Sequence, residues 1–284
     1  MSSARVCSLE PADIPEVARF LHQHLNSRLS PERWAQAIDP PWRAPGSSRG
    51  LCLRDGDALV GVYLAFCSDR MVRGERLRFC NLAAWCVLDA YRSSGLKLLM
   101  GLLRSEADVF TDLSPSGAVV PIDERLGFRH LDTTTSLRVN LPGPTRRGGV
   151  ELVTDPGRIA TLLDGDDAQV YRDHAGSAAA RHVLAMVDGQ PCYVIWRRVT
   201  RKRLPVFASL VHVGAPSLLD RALGPLGAHL LARGAPVLLA EHRIAGGPLR
   251  GARVIAGRPK LFRGDRVEPG DVDDLYSEIA SVPW

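Results

Sequence analysis

The chain has 284 residues, of which 45% are hydrophobic and 24% are charged, and its formal net charge is +5. This length and composition suit one large domain or two of ordinary size with a hydrophobic core. No run of about 18 apolar residues is present, which excludes a transmembrane helix. The N-terminus lacks a basic segment followed by an apolar one, so no secretory signal is expected and a cytoplasmic location is predicted.

The cysteine pattern gives no sign of a metal site. None of the six cysteines lies in a C-x-x-C pair, and none forms a Cys/His cluster with zinc spacing. Most of them lie in apolar, strand-like segments. We therefore expect buried free thiols in a reducing compartment and no bound metal.

The first half of the chain alternates helices and strands. An Asp-Gly turn signal at Asp55 divides residues 50–67 into a hairpin, and Leu96, Leu99, Met100 and Leu103 recur with helical spacing. The predicted helices cover residues 12–25, 30–38, 93–106 and 117–128, and the predicted strands cover 50–67 as a pair, 76–88, 108–116 and 129–141.

A segment rich in proline and glycine, residues 142–149, is predicted to be a linker. It divides the chain into a domain of residues 1–141 and a second domain of residues 150–284.

The second half repeats this order from a second Asp-Gly turn at Asp188. The predicted elements are a helix at 155–165, a strand pair at 182–199, a strand at 204–214, a helix at 217–234, a strand at 235–246, and a tail with a strand near 261 and a C-terminal helix at 271–279. The shared order suggests a tandem duplication and an α+β fold, with mixed helices and strands, present twice.

The most basic segment follows the strand pair of the second half. It contains Arg197, Arg198, Arg201, Lys202 and Arg203. It is predicted to be a solvated hairpin turn or a loop that faces an anion. Nucleic-acid binding is unlikely, because no aromatic residues alternate with the charges.

The junction between residues 87 and 103 carries the strongest functional signal. An apolar strand end is followed by Arg92, Ser93, Ser94 and Gly95, and then by an amphipathic helix. Unpaired N–H groups at a helix start bind phosphate well, so the junction suits a phosphate site. The alternative is an ordinary helix start with Ser93 or Ser94 as the N-cap.

These residues resemble the GNAT superfamily of acyl-CoA-dependent N-acyltransferases. Its R/Q-x-x-G-x-G/A loop is matched by Arg92 to Lys97, and a Y-x-x-L-G-F-like ending is matched by "DERLGF" from Asp123 to Phe128. The resemblance covers about residues 9–140, while the second half resembles the fold only in its element order. Lys97 replaces a small residue of the motif, and Asp123 stands where many relatives have a tyrosine that protonates the leaving thiolate.

The resemblance implies acetyl-CoA or another acyl-CoA as co-substrate. The strand backbone at Trp85, Cys86 and Val87 would pair with the pantetheine arm. The remaining residues implied for cofactor binding hold the pyrophosphate and are those of the loop motif: Arg92, Ser93, Ser94, Gly95, Leu96 and Lys97.

Four residues are candidates for catalysis. Ser116 corresponds to an asparagine of the family, and Asn81 lies on the strand beside the co-substrate. Glu241 and His242 end a buried strand of the second half, where polar groups often line clefts. His212, inside a strand, is predicted to be a core residue.

The predicted function is direct transfer of an acyl group, most simply acetyl, to a small amine or amino sugar. The second half is expected to be a degenerate copy that walls the acceptor cleft. The alternatives are a non-catalytic binding protein with this fold and a Fem-type transferase that uses aminoacyl-tRNA.

Overall fold

The computed structural model describes residues 4–201 and 204–284, without the side chains of residues 146 and 147. The described chain forms two mostly antiparallel sheets flanked by helices. This arrangement confirms the predicted α+β fold with two GNAT-like sheets.

The first sheet has seven strands in the order β1-β2-β3-β4-β5-β15-β6. All its neighbours are antiparallel except β4 and β5. Its strands are β1 (Arg5–Ser8), β2 (Gly50–Asp55), β3 (Ala58–Val72), β4 (Glu75–Val87), β5 (Val109–Asp112), β6 (Arg129–His130) and β15 (Leu261–Arg263).

The second sheet has eight strands in the order β14-β7-β13-β12-β11-β10-β9-β8. Here too one pair, β12 and β13, is parallel. Its strands are β7 (Thr135–Val139), β8 (Arg146–Arg147), β9 (Val150–Val153), β10 (Arg181–Val187), β11 (Gln190–Arg201), β12 (Leu204–Val213), β13 (Val237–Glu241) and β14 (Arg253–Ile255).

Helices cover both faces of each sheet. The helices α1 and α2 pack on one face of the first sheet, and α3 and α4 pack on the other. The second sheet carries α5 and α6 on one face and α7 and α8 on the other. The helices are α1 (Ile14–His24), α2 (Pro31–Ile38), α3 (Arg92–Leu102), α4 (Val120–Arg125), α5 (Pro156–Leu162), α6 (Gly165–His174), α7 (Pro216–Ala232), α8 (His242–Ala245) and α9 (Glu278–Ser281).

Both predicted Asp-Gly hairpins are present. Gly56 has a φ of 58° between β2 and β3, and Asp188 and Gly189 have φ values of 48° and 81° between β10 and β11. The two consecutive residues with positive φ at the second hairpin are typical of the turn that matches the twist of antiparallel strands.

The two sheets do not divide the chain at the predicted linker. Strand β7 precedes residues 142–149, yet it pairs with β13 in the second sheet. Strand β15 lies near the end of the chain, yet it pairs with β5 and β6 in the first sheet. Each half of the chain therefore contributes a strand to the sheet formed mainly by the other half.

The tail differs from the predicted helix at 271–279. A short 3-10 turn at Pro269–Asp271 is followed by the single-turn helix α9, whose N-cap Ser277 accepts a hydrogen bond from the Ile279 N–H. The tail packs into both halves, since Leu275 lies in a cluster of the second half and Val282 in one of the first. Within the described residues, no helix is both long enough and apolar enough to cross a membrane.

Candidate active site

A gap opens in the first sheet where β4 and β5 part. Their parallel pairing covers only Phe79, Cys80 and Asn81 of β4. Strand β4 continues to Val87, paired on its other side with β3. The backbone of residues 82–87 is therefore not paired with β5, and this edge can accept a further extended chain.

A β-bulge in β4 shapes the edge of this gap. The pairing shifts between Val62 and Leu64 of β3, so that Ala84 and Trp85 lie opposite Tyr63. Ala84 has a φ of 54°, and the Trp85 ring stacks on Tyr63 with centroids 4.9 Å apart. The bulge thus places Trp85 on the face that carries α3.

The gap leads into a cleft of about 370 Å³. Both halves of the chain form its walls. Its lining comes from residues 83–85 at the bulge, from Tyr63 and Leu25, from several residues of 112–119 at and after the end of β5, from Arg197, Val199 and Thr200 of β11, and from Arg258 and Trp284.

The predicted phosphate loop lies beside this gap, in the first turn of α3. The helix begins at Arg92 with Tyr91 as N-cap, and no side chain caps it. The alternative with Ser93 or Ser94 as N-cap is therefore wrong. Gly95 is buried next to Trp85, since a Cβ atom there would lie 3.6 Å from the indole ring.

The other loop residues are more exposed. The Arg92 side chain pairs with Asp89 at 2.8 Å, with both side chains largely exposed, and the Arg92 N–H already donates to the Asp89 carbonyl. Ser93, Leu96 and Lys97 are exposed, whereas Ser94 is buried. The side chains of Arg92 and Lys97 are thus accessible to an anion at the helix start.

Cys86 and Val87 offer only their backbone to the gap. Cys86 is buried on the side of α1 and α2, and burial raises the pKa of its thiol to about 11. Val87 packs on the opposite side, against Gly61 and Gly95. Cys86 is therefore a structural thiol rather than a reactive one.

One of the four predicted catalytic residues lines the cleft. Ser116 is exposed and lines it. Asn81 is buried one layer behind, where its amide donates to Glu278 and its carbonyl accepts from Thr111 at 3.0 Å. The Ser114 hydroxyl, which lines the cleft, donates to Glu278 at 2.5 Å.

Glu241 and His242 are not among the residues that line the cleft. Glu241 accepts hydrogen bonds from Arg243 at 2.7 Å and lies 2.6 Å from Lys260. His242 lies 3.1 Å from the hydroxyl of Ser136. The structure therefore gives these strand-end residues structural partners and does not support their predicted role as general bases.

His212 and Tyr276 have partners within the fold. His212 Nε2 lies 2.7 Å from Asp167, as expected for a satisfied core histidine, and the Tyr276 hydroxyl donates to Asp173 at 2.8 Å.

The basic segment is not a solvated turn at its beginning. Arg197 is only 7% exposed and donates to the Ile279 carbonyl at 2.7 Å. Arg198 donates to carbonyls at Pro205 and Gly234. Lys202 and Arg203, which belong to the same prediction, lie outside the described residues. The sequence pattern missed the burial of Arg197 because a charged strand end usually faces solvent.

A pair of buried acids stands behind the cleft. Asp123, at the position of the family's tyrosine, is fully buried, and burial raises its pKa to about 6. Asp112 lines the cleft; burial raises its pKa well above the usual value, and the charges of Glu278 and Asp123 raise it further. Two neighbouring buried carboxyls do not both ionise readily, so the pair holds a proton near neutral pH.

We expect Asp123→Asn to stabilise the protein at pH 8. The folded pKa of Asp123 is raised from 3.8 to about 6, so stability falls as the pH rises between these values. Removing the charge should raise the free energy of unfolding by on the order of 3 kcal/mol above pH 6 and leave it nearly unchanged at pH 4. Urea unfolding at both pH values measures the difference, with the exposed Asp57→Asn as control. Equal midpoints at pH 8 would contradict the expectation.

The equivalent place in the second half is closed. The α7 helix begins at Pro216, and a Cβ atom on Gly246, just after α8, would lie 2.6 Å from the Pro216 side chain. Here α7 and α8 are in contact where the first half has its cleft.

A larger groove of about 670 Å³ lies along residues 39–49. Its charged side chains satisfy one another, since Asp39 pairs with Arg43 at 2.9 Å and with Arg49 at 3.0 Å. Among the described residues, no group of three or more His, Cys, Asp or Glu residues could hold a metal ion.

Comparisons with solved structures find the same fold. A putative acetyltransferase from Pyrococcus horikoshii is 14% identical, with a TM-score of 0.56, over 97% of this chain and 93% of that one. A GCN5-related N-acetyltransferase from Anabaena variabilis is 12% identical, with a TM-score of 0.58, over 92% of this chain and 72% of that one.

The N-myristoyltransferase of Saccharomyces cerevisiae, solved with bound myristoyl-CoA and inhibitors, is 13% identical, with a TM-score of 0.55, over 97% of this chain and 85% of that one. No protein-family model and no curated protein sequence matches the chain. With its two mixed sheets and the gap beside α3, the chain has the fold of the GCN5-related N-acetyltransferases.

Proposed function

We propose that the chain transfers an acyl group from acyl-CoA directly to the amine of a small acceptor. One observation carries the proposal: β4 leaves β5 after Asn81, and this frees a strand edge beside the N-terminus of α3. Such an edge pairs with the amides of a pantetheine arm, and the helix start suits its diphosphate. A solved structure of similar fold holds bound myristoyl-CoA, and this supports an acyl-CoA as the co-substrate.

The residues of the cleft suit the two proton transfers of this reaction. The acceptor nitrogen attacks the thioester carbon, the C–S bond breaks, and an amide and CoA thiol form once the nitrogen's proton is lost and the sulfur gains one. Asp112 and Asp123 together hold one proton and keep one negative charge near neutral pH, so the pair could take the proton of the amine through Asp112, its member at the cleft. The exposed hydroxyl of Ser116, which lines the cleft, would donate to the leaving sulfur.

Acetyl is the simplest acyl group for this reaction. The second half would serve as the wall of the acceptor side, through Arg197 and Thr200 of β11. The alternative of a tRNA-dependent transferase loses part of its support, since Arg197 and Arg198 bind backbone carbonyls of their own chain.

We expect Gly95→Asp to weaken acetyl-CoA binding by about tenfold or more, because it adds a negative charge where the diphosphate would lie. The nearest atoms to a Cβ at Gly95 are 3.5 Å away, so the side chain fits without a clash of its Cβ. Calorimetric titration with acetyl-CoA and CoA measures the change.

Gly95→Asn is the matched control, because it has the same shape without the charge. The proposal predicts that the asparagine variant binds more tightly than the aspartate variant. No binding of either ligand by folded wild-type protein would contradict the co-substrate assignment and leave a binding protein of this fold.

A further inference from the structure

Two arginines line the same cleft as Asp112. Arg197 comes from β11 and Arg258 from the segment before β15, and both line the cleft. A third, Arg201, lies at the end of β11 and is close enough to Arg258 for their charges to interact. The three guanidinium groups thus gather on the side formed by the second half and the tail.

These arginines lack carboxylate partners. Arg197 is more than nine-tenths buried, and its bonds go to the backbone carbonyls of Ile279 and Val282. Its Nε and the Nε of Arg201 are buried without a hydrogen-bond partner. Across residues 4–201 and 204–284, none of the three arginines makes an ion pair within 4.0 Å.

Burying a guanidinium without a carboxylate partner lowers the stability of the folded protein. An anion that binds in the cleft beside it would offset this loss. The charges of Glu278 and Asp274 act on Arg197 through space, but neither acid makes a hydrogen bond to it. Glu278 is bonded to Asn81 and Ser114, and Asp274 is bonded to Arg243 and Lys260.

We infer that Arg197 and Arg258 form an anion subsite, and that the acceptor amine carries a carboxylate or a phosphate. This inference rests on the proposed function for the role of the acceptor. The amine of such an acceptor would face Asp112, and the carboxylate or phosphate of the acceptor would face the two arginines. Amino acids and phosphorylated amines are the classes that combine these two charges.

Matched pairs of acceptors test the inference. Release of CoA thiol from acetyl-CoA is followed with common L-amino acids and their decarboxylated amines, and with phosphoethanolamine against ethanolamine. We expect kcat/KM to favour the anionic member by about 10- to 100-fold, as for a lost charged hydrogen bond. The carboxylate and phosphate arms show which anion is preferred.

Arg258→Ala is the informative variant. Arg258 is exposed and makes no described contact that folding needs, so the variant should remain folded. It should abolish the preference for anionic acceptors, while Arg258→Lys should retain part of it. Arg104→Ala, an exposed arginine outside the cleft lining, should leave the preference unchanged.

Three results would overturn the inference. The first is a preference for the decarboxylated amines, and the second is an equal loss of kcat/KM for both members of a pair in Arg258→Ala. The third is an Arg258-dependent preference for succinyl-CoA over acetyl-CoA, which would place the anion in the acyl group instead.

A binding measurement separates this inference from the proposed function. The same amino acids and phosphoethanolamine are titrated calorimetrically into the protein without co-substrate. Binding that is lost in Arg258→Ala would support the subsite even if acetyl-CoA neither binds nor reacts. The absence of both binding and turnover for every anionic compound would refute the subsite, whereas acetyl-CoA binding alone would preserve the co-substrate assignment.

Discussion

Asp274→Ala is expected to lower the free energy of unfolding by about 3–5 kcal/mol, as for other buried ion pairs that lose one partner. Asp274 is 2% exposed and accepts hydrogen bonds from Arg243 and Lys260. Glu241 completes the cluster, 2.6 Å from Lys260 and 2.7 Å from Arg243. The substitution leaves two buried cations with a single carboxylate between them.

The pH dependence of this effect has a definite sign. Burial alone would raise the pKa of Asp274, but the charges of Lys260 and Arg243 overcome it and hold the pKa at about 2, below the ordinary 3.8. A lowered folded pKa means that the stabilisation is complete above about pH 4 and is lost as the pH falls towards 2. Asp274→Ala should therefore differ from wild type strongly at pH 7 and less at pH 3.

Urea unfolding, monitored by far-UV circular dichroism at pH 7 and pH 3, measures both the loss of stability and its pH dependence. Glu75→Ala is the control, because Glu75 pairs with Arg266 and the two side chains are 64% and 51% exposed. An exposed pair of this kind is worth about 1 kcal/mol or less. A loss for Asp274→Ala no greater than for this control would show that the cluster does not stabilise the fold.

The cluster also connects the two sheets. Glu241 ends β13 of the second sheet, Lys260 directly precedes β15 of the first, and Asp274 lies in the tail. Its loss should loosen the tail that carries Glu278 and Trp284 to the cleft.

Sequence patterns correctly predicted the turns and helices that neighbouring residues determine by themselves. The Asp-Gly pairs at Asp55 and Asp188 fix hairpins through their own backbone preferences, and the spacing of Leu96, Leu99 and Leu103 fits a helix that buries one face. The short strand β1 and the helix α6 were not predicted. Both are short and polar, and they depend on partners elsewhere in the chain.

The exchange of β7 and β15 could not be predicted from the sequence. A strand's side-chain alternation shows that one face is buried, but it does not show which sheet supplies the hydrogen-bonding partner. The change of composition at residues 142–149 predicts a linker. It does not predict which strands pair across that linker, because these pairings join segments that are distant in the sequence.

The predicted site residues that belong to contiguous motifs lie near the gap or the cleft, and their roles stay predictions. The junction at Arg92 to Gly95 and the residues Trp85 and Ser116 lie at the gap and the cleft. Other parts of the site come from distant segments: Arg197 from β11, Arg258 from the segment before β15, and Glu278 from the tail. No local pattern relates these three residues.

The second large effect is expected for Glu278→Ala, with a loss of about 3–4 kcal/mol of stability. The carboxyl of Glu278 is fully buried and accepts hydrogen bonds from Asn81 and Ser114. Alanine leaves both donors unpaired next to a void. It also removes a negative charge that stabilises the charged form of Arg197, whose pKa burial lowers to about 10.

Glu278→Gln separates the shape of this side chain from its charge. Burial raises the pKa of Glu278 above the ordinary 4.5, so its ionised form is disfavoured in the folded state. The glutamine variant should therefore lose about 1 kcal/mol or less near pH 4.5, since it keeps the volume and an acceptor oxygen. Its stability relative to wild type should increase as the pH rises, because ionisation of the buried Glu278 carboxyl then destabilises the wild-type protein.

Unfolding midpoints at pH 5 and pH 8 measure both variants, with the exposed Glu106→Ala as control. Because Ser114 joins Glu278 to the cleft, the alanine variant should also raise KM for the acceptor more than KM for acetyl-CoA. Similar stability losses for alanine and glutamine at both pH values would mean that the ionised carboxylate itself is required. In that case the contact that the tail makes with Asn81 and Ser114 would be an electrostatic one, and the fold would tolerate the charge through Arg197.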